Sequence, residues 1–573
     1  MNKLLNIIFL WLGIAVIGCA ASNNQADASS FEYKEIYLPE HGTKEYKHLN
    51  LNSLDDEWGI WGHNLANVLP DDHSHTVYAK VNGATSNNQF CFSSNHLQRY
   101  IEDYIIDNFG ETDSLNFAIL PNDNAVVCLC ERCVAAGNVA GNATGAVSGM
   151  ISRLAERFPA HTFFTSYYRT TRSVPQDELP ANAGVLISAM DWPLTTFKTT
   201  EEDALVDLIT DWKHKTPVVF IWDYINDFDD YFTPFPIFGV MQRRLQTYRD
   251  LGVNGIFLNG SGRDYSTFSR LKTHVIAEML ENPDVDFQAV LEEKANEFYP
   301  VTGQIIADFI KQQEDYVMFN QSQLPLYQGV SYAVNSYLPK DGFIEFYEKL
   351  REALPQAGEA EGEEIEKMLD AMALTRLEIM RLNGNTEGYK PYIDALSRAK
   401  VKKGMEAYSE SGWTVDTYIK EFEYMVQDAQ ASKGNILKGV RLEPLSRLDP
   451  DYSDITVLTD GLLSMPSNYH NGMIILSPEG KWRLAVPLED GTKKLRVRMP
   501  VKRSFRIGVP AKVNLVVGDD IVSTQKPVKP EAGKHHTMLE FNVPSKINGN
   551  VVLEFFSDED NPTFAIEEIE AYK

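Results

Sequence analysis

The chain has 573 residues, with 80 acidic and 53 basic side chains, and its formal net charge is −27 at pH 7. A charge of this sign repels nucleic acid and anionic lipid, which argues against electrostatic binding to either. Hydrophobic residues make up 43% of the chain and aromatic residues 11%, which is enough to bury several large cores.

The first residues have the pattern of an export signal. Lys3 precedes a nearly unbroken apolar run over residues 4–18, which is shorter than the roughly 20 apolar residues that span a bilayer. Small residues then lead into Cys19, as in a lipobox. We therefore predict a signal peptide over 1–19, a lipid on Cys19 and a location in the cell envelope, anchored through acyl chains. Residues 20–30 are small and polar and predict a flexible tether.

Short apolar segments alternate with amphipathic stretches from about residue 31 to 300. This order predicts a (β/α)₈ TIM-like barrel, with some irregularity in its first repeats. The eight predicted strands are Tyr33–Leu38, Trp58–Gly62, Phe90–Ser93, Leu115–Leu120, Thr162–Tyr167, Gly184–Met190, Val218–Trp222 and Gly255–Leu258. The helices predicted between them include Leu97–Asn108, Ala146–Phe158, Glu201–Lys213 and Phe238–Leu251.

The pattern becomes helical after the barrel and then changes to β structure. Residues 301–435 show apolar side chains at three- and four-residue spacing and predict a helical domain, with Tyr392–Ser409 as one of its helices. Residues 436–573 alternate with period two and predict a β-sandwich accessory domain. Its predicted strands are Lys494–Met499, Lys512–Val517, Met538–Val543 and Val551–Phe555.

Four cysteines follow Cys19, and three of them are close together in Cys128-Leu-Cys130-Glu-Arg-Cys133. This spacing suits disulfides in an oxidising compartment, buried thiols, or a structural zinc site in which Cys91 would be the fourth ligand. The spacing alone leaves these alternatives open. We predict no catalytic metal.

In a barrel of this kind the active site lies at the carboxyl ends of the strands. Three of the predicted strands are each followed by an aspartate. These residues are Asp123, Asp191 and Asp223. Four tryptophans flank the same rim: Trp58, Trp61, Trp192 and Trp222. Carboxylates beside flat aromatic rings suit hydrolysis of a glycosidic bond, because one acid must protonate the leaving oxygen while a second carboxylate attacks, activates water or orients a 2-acetamido group.

Several short motifs occur in an order that is typical of one protein family. They are Trp61-Gly-His-Asn-Leu65 with Pro70 downstream, Asn122-Asp123 leading into the cysteine cluster, Trp222-Asp-Tyr224 with Pro234-Phe-Pro236, Gly252-Val-Asn-Gly-Ile-Phe257, and Ala277-Glu-Met-Leu-Glu-Asn-Pro283. Over roughly residues 55–300 the chain resembles glycoside hydrolase family 163, a bacterial barrel family formerly labelled as of unknown function. Its rim departs from many relatives in being rich in Asp and poor in Glu, for example at Asn259.

The resemblance implies a retaining endo-β-N-acetylglucosaminidase that cleaves the chitobiose core of complex N-glycans with help from the substrate's acetamide. It implies N-glycans or glycoproteins as partners. We expect no nucleic-acid partner, because of the negative net charge, and no cofactor. We expect Asp191 to be the general acid, with Asp123 or Asp223 as the second carboxylate. The expected substrate-binding residues are His63 and Asn64 for sugar hydroxyls, Asn122, Tyr167 and Tyr224 for the acetamide, Trp192 and Trp222 for stacking, and Asn259.

Two alternatives remain at this stage. An exo-acting hexosaminidase or a glucuronidase-like enzyme would need a closed pocket, whereas an endo-acting enzyme needs an open cleft. A surface lipoprotein whose barrel binds glycans without cleaving them would keep its affinity when the aspartates are removed.

Overall fold

The computed structural model describes residues 31–431, 433–449, 453–464, 472–478, 480–500, 507–528, 536–545, 547, 549–557 and 563–573. The predicted signal peptide, the lipid on Cys19 and the tether over residues 20–30 lie outside these ranges. None of the helices in the described ranges combines the length and hydrophobicity that crossing a membrane requires.

The first part of the chain has nine strands. They are β1 (Tyr33–Tyr37), β2 (Trp58–Ile60), β3 (Tyr78–Val81), β4 (Ala84–Phe90), β5 (Asn116–Ala118), β6 (Thr162–Tyr167), β7 (Ala183–Ser188), β8 (Val218–Tyr224) and β9 (Gly255–Asn259). Seven of these strands form one parallel sheet in the order β1-β9-β8-β7-β6-β5-β2. Seven of the eight predicted strands are therefore confirmed within a few residues.

The eighth predicted strand, Phe90–Ser93, is wrong. Phe90 ends β4, which pairs antiparallel with β3 in a hairpin outside the main sheet. The apolar side chains of Phe90 and Phe92 pack instead into a cluster with helix residues such as Leu97. Because β1 and β2 are the two edges of the seven-stranded sheet, the described strands form a curled parallel sheet and not the predicted closed barrel of eight. We use the word barrel for this open, curled sheet and its helices.

Alternate side chains of the parallel strands fill the inside of this sheet. Phe164, Leu186 and Phe220 meet there in an aromatic cluster that also includes Trp58. Residues of the opposite parity, such as Ile221, pack outward against the helices. This two-residue period decides which side chains of each strand can reach the mouth of the barrel.

Fifteen α-helices accompany the strands in the described ranges. They are α1 (Lys44–Lys47), α2 (Leu54–Glu57), α3 (Asn95–Asn108), α4 (Glu131–Ala135), α5 (Thr144–Arg157), α6 (Thr200–Lys213), α7 (Phe238–Asp250), α8 (Ser269–Glu281), α9 (Phe287–Phe298), α10 (Gly303–Asn320), α11 (Val330–Ser336), α12 (Lys340–Ala353), α13 (Glu359–Leu382), α14 (Lys390–Ala399) and α15 (Val415–Ala431). The four helices predicted between the barrel strands are confirmed within two residues at each end.

The predicted helix Tyr392–Ser409 is correct only in its first part. It ends at Ala399 as α14, and an irregular segment, residues 400–414, follows it. This segment lies on the barrel, because the backbone N–H groups of Tyr265 and Tyr231 donate to the carbonyls of Gly404 (2.7 Å) and Tyr408 (2.8 Å). These hydrogen bonds replace those that a continuing helix would have made.

The rest of the described chain is mainly β structure, as predicted for residues 436–573. Its strands are β10 (Glu443–Pro444), β11 (Ile474–Leu476), β12 (Lys481–Pro487), β13 (Lys494–Pro500), β14 (Lys512–Val517), β15 (Asp520–Gln525), β16 (His536–Asn542), β17 (Asn550–Phe556), β18 (Phe564–Ile566) and β19 (Glu568–Tyr572). A five-stranded sheet, β10-β12-β17-β14-β15, and a three-stranded sheet, β16-β13-β19, share one hydrophobic cluster that includes Trp482 and Val497.

Candidate active site

A cavity of about 350 Å³ opens at the carboxyl ends of the barrel strands. Its wall is formed by the last inward-facing residues of β6 to β9, by loops that follow β2 and β5, and by two segments from the helical region. The lining residues are His63, Leu120, Asp123, Ser166, Tyr168, Arg169, Leu186, Ser188, Met190, Trp222, Tyr224, Asn259, Tyr327 and Glu410. Five of the residues predicted from the sequence, His63, Asp123, Trp222, Tyr224 and Asn259, are therefore brought together.

Asp123 lies in the cavity wall with a cation beside it. The Nε of Arg169 donates to Asp123 Oδ1 at 2.9 Å and to the hydroxyl of Tyr168 at 3.1 Å. Both charged side chains of the pair are about half exposed. Burial, with the negative charge of Asp123 as a second cause, raises the pKa of Tyr168. The cavity thus presents an aspartate, a guanidinium and a protonated phenol side by side.

Glu410 supplies the second carboxylate of the cavity, and the sequence prediction missed it. It lies in the irregular segment 400–414, where its backbone N–H donates to the carbonyl of Phe228 at 2.8 Å. Its Oε2 accepts a hydrogen bond from the hydroxyl of Tyr327 at 2.9 Å. The signal that could have revealed it is the pair Gly404 and Gly412, since glycine is unfavourable inside a helix.

Asp223 is turned away from the cavity. Its neighbours in β8, Trp222 and Tyr224, face the cavity, so the residue between them faces the helices. Its carboxylate accepts from Arg244 Nη1 at 2.5 Å and from the hydroxyl of Tyr248 at 2.6 Å, and its side chain is fully buried. This corrects the expectation that Asp223 stands at the barrel mouth.

Asp191 lies beside the cavity but does not line it. Its Oδ2 accepts from Arg172 Nη1 at 2.5 Å, and both side chains are about half exposed. It lines an adjoining depression of about 490 Å³ together with Trp192. This depression shares Met190 and Tyr327 with the cavity, so the two adjoin each other.

The tyrosine predicted at the end of β6 is displaced by one residue. Tyr168 lines the cavity, whereas Tyr167 has the opposite parity and packs near the guanidinium of Arg172, which lies 5.7 Å from the ring centre. Asn122 and Asn64 also lie outside the lining. Their side-chain amides donate to the backbone carbonyls of Asn88 (3.0 Å) and Trp61 (2.9 Å) and so hold loops together.

The floor of the cavity is aromatic. The rings of Trp61 and Trp222 stack with centres 5.1 Å apart and planes 9° from parallel. The indole N–H of Trp222 is buried and has no hydrogen-bond partner in the described structure. Tyr224 pairs with Ser188, hydroxyl to hydroxyl, at 3.0 Å, and His63 Nδ1 lies 2.6 Å from the carbonyl of Pro121. The cavity therefore combines a flat apolar surface with polar groups at its edge.

Among the described residues, one group of His, Cys, Asp or Glu side chains is close enough to share a metal ion. It consists of Cys91, Cys128, Cys130 and Cys133, and none of these four residues lines the cavity.

Comparison with known proteins gives a family and several distant structural likenesses. A 4-O-methyl-α-glucuronidase of family GH115, specific for decorated arabinogalactans, is 10% identical with a TM-score of 0.37, covering 95% of this chain and 82% of its own. A GH138 enzyme that targets pectin rhamnogalacturonan II is 9% identical with a TM-score of 0.35, covering 94% and 84%. A fucose-binding module of Streptococcus pneumoniae is 14% identical with a TM-score of 0.19, covering 24% and 98%.

No curated protein sequence matches the chain significantly. The profile of a family described as "Domain of unknown function (DUF4838)" matches residues 17–312, which is just over half of the 573 residues and includes every strand of the parallel sheet. The chain therefore belongs to the DUF4838 family.

Proposed function

We propose that this protein is a glycoside hydrolase whose active site is the cavity at the barrel mouth. The observation that carries the proposal is the presence of two carboxylates, Asp123 and Glu410, in one cavity floored by Trp222. Glycoside hydrolysis requires such a pair, and an aromatic ring provides a face on which a sugar can stack. A cavity of about 350 Å³ has the size of a small-molecule site.

The two carboxylates of the cavity have different hydrogen-bond partners. Asp123 accepts a hydrogen bond from the guanidinium of Arg169, and Glu410 accepts one from the hydroxyl of Tyr327. We propose that these two carboxylates form the catalytic pair, one as the general acid and the other as the assisting carboxylate, in place of Asp191 and Asp223.

We further propose the specific activity implied by the resemblance to family 163, namely retaining, substrate-assisted endo-β-N-acetylglucosaminidase action on complex N-glycans. The depression with Asp191 and Trp192 adjoins the cavity and offers space for a chain that continues past the cleaved bond. In an endo-acting enzyme of this kind, Trp192 would bind a sugar beyond the bond that is cleaved.

The test is digestion of a panel of N-glycoproteins by the chain lacking residues 1–19, with the released glycans followed by mass spectrometry. We expect release that leaves one GlcNAc on the protein. Replacement of either proposed carboxylate, Glu410→Gln or Asp123→Asn, should lower the rate by about 10²–10⁴-fold, which is the usual contribution of a positioned acid or base.

Two variants serve as controls. Glu406→Gln changes an exposed glutamate of the same irregular segment that does not line the cavity, and it should keep full activity. Asp191→Asn should mainly raise KM, because Asp191 lies in the adjoining depression. Loss of turnover in Asp191→Asn with full activity in Glu410→Gln would contradict the assignment. Glycan binding without release by the unaltered chain would contradict the proposal of an enzyme.

We propose that the protein is held on the cell envelope by a lipid on Cys19. The support is the basic, short and apolar start of the chain followed by small residues before that cysteine. Incorporation of labelled palmitate by the full-length chain, and its loss in Cys19→Ala, is the expected outcome. Export without labelling would refute it.

A further inference from the structure

Four cysteine sulfurs converge on one point next to the barrel. The Sγ atoms of Cys91, Cys128, Cys130 and Cys133 all lie within 4.8 Å of one another. Cys91 is 3.7 Å from Cys130 and 3.6 Å from Cys133. Cys91 directly follows the β3–β4 hairpin, Cys128 and Cys130 lie in the loop that leads into α4, and Cys133 lies within α4, so the chain has to fold before they meet.

These distances are those of a tetrahedral metal site. With metal–sulfur bonds of about 2.3 Å, the four sulfurs around one zinc ion lie about 3.8 Å apart. Disulfides would instead join the sulfurs in pairs, but Cys91 is equally close to two partners, which favours neither pairing. Four converging thiolates with tetrahedral spacing are the typical donor set of a structural zinc site.

The surroundings also suit bound thiolates. The backbone N–H of Lys80 donates to Cys128 Sγ at 3.2 Å, an interaction that stabilises negative charge on sulfur. Three of the four cysteines are buried and Cys130 is half-buried. The half-buried Cys130 lines a depression together with Lys80, Glu131 and Arg132, so the site has a route to solvent on one side.

We infer that Cys91, Cys128, Cys130 and Cys133 bind one structural Zn²⁺ ion. On binding, the four thiols lose their protons to the solvent, and four sulfur–zinc bonds form without any change of oxidation state. This inference does not depend on the proposed enzymatic activity.

The ion would hold the loop that carries Asp123. That loop begins after β5 and ends at the cysteines, and it is tied to the β3–β4 hairpin by a second set of contacts. Gln89 Nε2 donates to the carbonyl of Asn122 at 3.1 Å, and the backbone N–H of Leu129 donates to the carbonyl of Lys80 at 2.8 Å. A zinc ion between Cys91 and the loop would fix its far end, which makes it a positioning element for the cavity wall.

The test is elemental analysis of the chain lacking residues 1–19, purified without added metal from the cytoplasm and, in parallel, after export to the periplasm. We expect one zinc per chain in both preparations. Titration with a mercurial reagent should replace the sulfur–zinc bonds by sulfur–mercury bonds, release that zinc to a chromogenic chelator, and consume four equivalents of reagent per chain.

Variants then connect the metal to the loop. Cys133→Ser and Cys91→Ser should each lower bound zinc at least tenfold, and hydrogen exchange of residues 121–127 should become several-fold faster. Since a cysteine variant can also fail to fold, the same exchange measurement is made on the unaltered chain after zinc removal. Exchange in β8, which is distant in the sheet order, serves as the internal control and should not change.

Three results would overturn the inference. The first is a chain without zinc whose mass shows two disulfides. The second is a chain without zinc whose four free thiols do not bind added Zn²⁺, and the third is iron in place of zinc.

Discussion

Asp223 is the buried charge on which the packing of helix α7 against β8 depends. Its carboxylate pairs with Arg244, which also donates to the carbonyls of Trp192 and Pro193 at 2.7 and 3.0 Å. Asp223→Asn would leave the buried guanidinium without its counter-ion. We expect a loss of about 3–5 kcal/mol in the free energy of unfolding, measured by urea titration.

A matched control lies on the same helix. Arg249 and Asp284 form an ion pair at 2.6 Å whose aspartate is 61% exposed. Because exposed pairs are worth little, Asp284→Asn should cost less than about 1 kcal/mol. Equal effects of the two variants would contradict the structural role of Asp223.

Lys272 is a buried lysine of helix α8, and its pKa is well below the ordinary value. Its Nζ donates to Asn226 Oδ1 at 2.7 Å. Burial lowers its pKa to about 7, while the charges of Glu40 and Glu314 act in the opposite direction. The folded pKa is thus below the unfolded value of 10.5, so the unfolded chain binds more protons between about pH 7 and pH 10.5. The free energy of unfolding therefore rises with pH across this window and does not change with the titration of Lys272 below about pH 7, where both states are protonated.

Lys272→Met should remove this dependence. Between about pH 7.5 and about pH 9.5 we expect the free energy of unfolding of the unaltered chain to increase by roughly 2 kcal/mol relative to that of the variant. Thermal unfolding at the two pH values measures the difference. Lys349→Met changes an exposed lysine that pairs with Glu345, and it should follow the unaltered chain. If the free energy of unfolding depended on pH equally in Lys272→Met and in the unaltered chain, the pKa of Lys272 would not be lowered by burial.

The irregular segment 400–414 decides whether the cavity has its second carboxylate. Gly404 has φ of +81°, and a Cβ at this position would come 3.3 Å from the carbonyl oxygen of Arg263. Gly404→Ala therefore adds steric strain to a backbone conformation that favours glycine, at a cost of about 1–2 kcal/mol for the conformation alone. We expect faster hydrogen exchange of residues 400–414 and weaker glycan turnover.

Gly412→Ala is the matched variant in the same segment. Its φ is +72°, but a Cβ there has open space around it, so it bears only the conformational cost. The effect on exchange should be smaller than that of Gly404→Ala. The reverse order would mean that the contact with Arg263 does not hold the segment.

Periodicity predicted the elements well, because it is a local property of the sequence. The β6 prediction, Thr162–Tyr167, has the bounds that the structure gives, and the helices beside it differ by two residues at most. The position of a strand end is less local, and this is why the candidate site is only partly correct. The predicted strand ends at Trp222, which leaves Asp223 free to face the cavity, whereas β8 continues to Tyr224. Trp222 and Tyr224 therefore share a face that Asp223 cannot share.

Other features depend on contacts between distant residues. Glu410 reaches the cavity because the segment after α14 bonds to Phe228 and Tyr231, and nothing within that segment specifies the contact. The cysteines could be grouped from spacing only up to Cys128, Cys130 and Cys133. The convergence of Cys91 depends on how the hairpin packs.

At the scale of the whole molecule, the helical region joins the barrel to the β-rich part. One side of the barrel shares a large hydrophobic cluster with the helical region, whereas the β-rich part has its own cluster. Arg381 of α13 links the two, since its fully buried guanidinium pairs with Glu378 at 2.8 Å and its Nη1 donates to the carbonyl of Leu463 at 3.3 Å. Tyr418 of α15 donates to the same Glu378 at 2.8 Å.

Removal of one charge at this junction should separate the two cores. Arg381→Met leaves the Glu378 carboxylate buried without its cation, which typically costs about 3–5 kcal/mol. It also removes the hydrogen bond to the β-rich part, so calorimetry should show two separated unfolding transitions with the first at a lower temperature. The double variant Arg381→Met with Glu378→Met has no unpaired charge and should recover most of the lost stability, because apolar replacement of a whole buried pair is often neutral. If the double variant were as unstable as the single one, the packing of the arginine stem and not the ion pair would join the two parts.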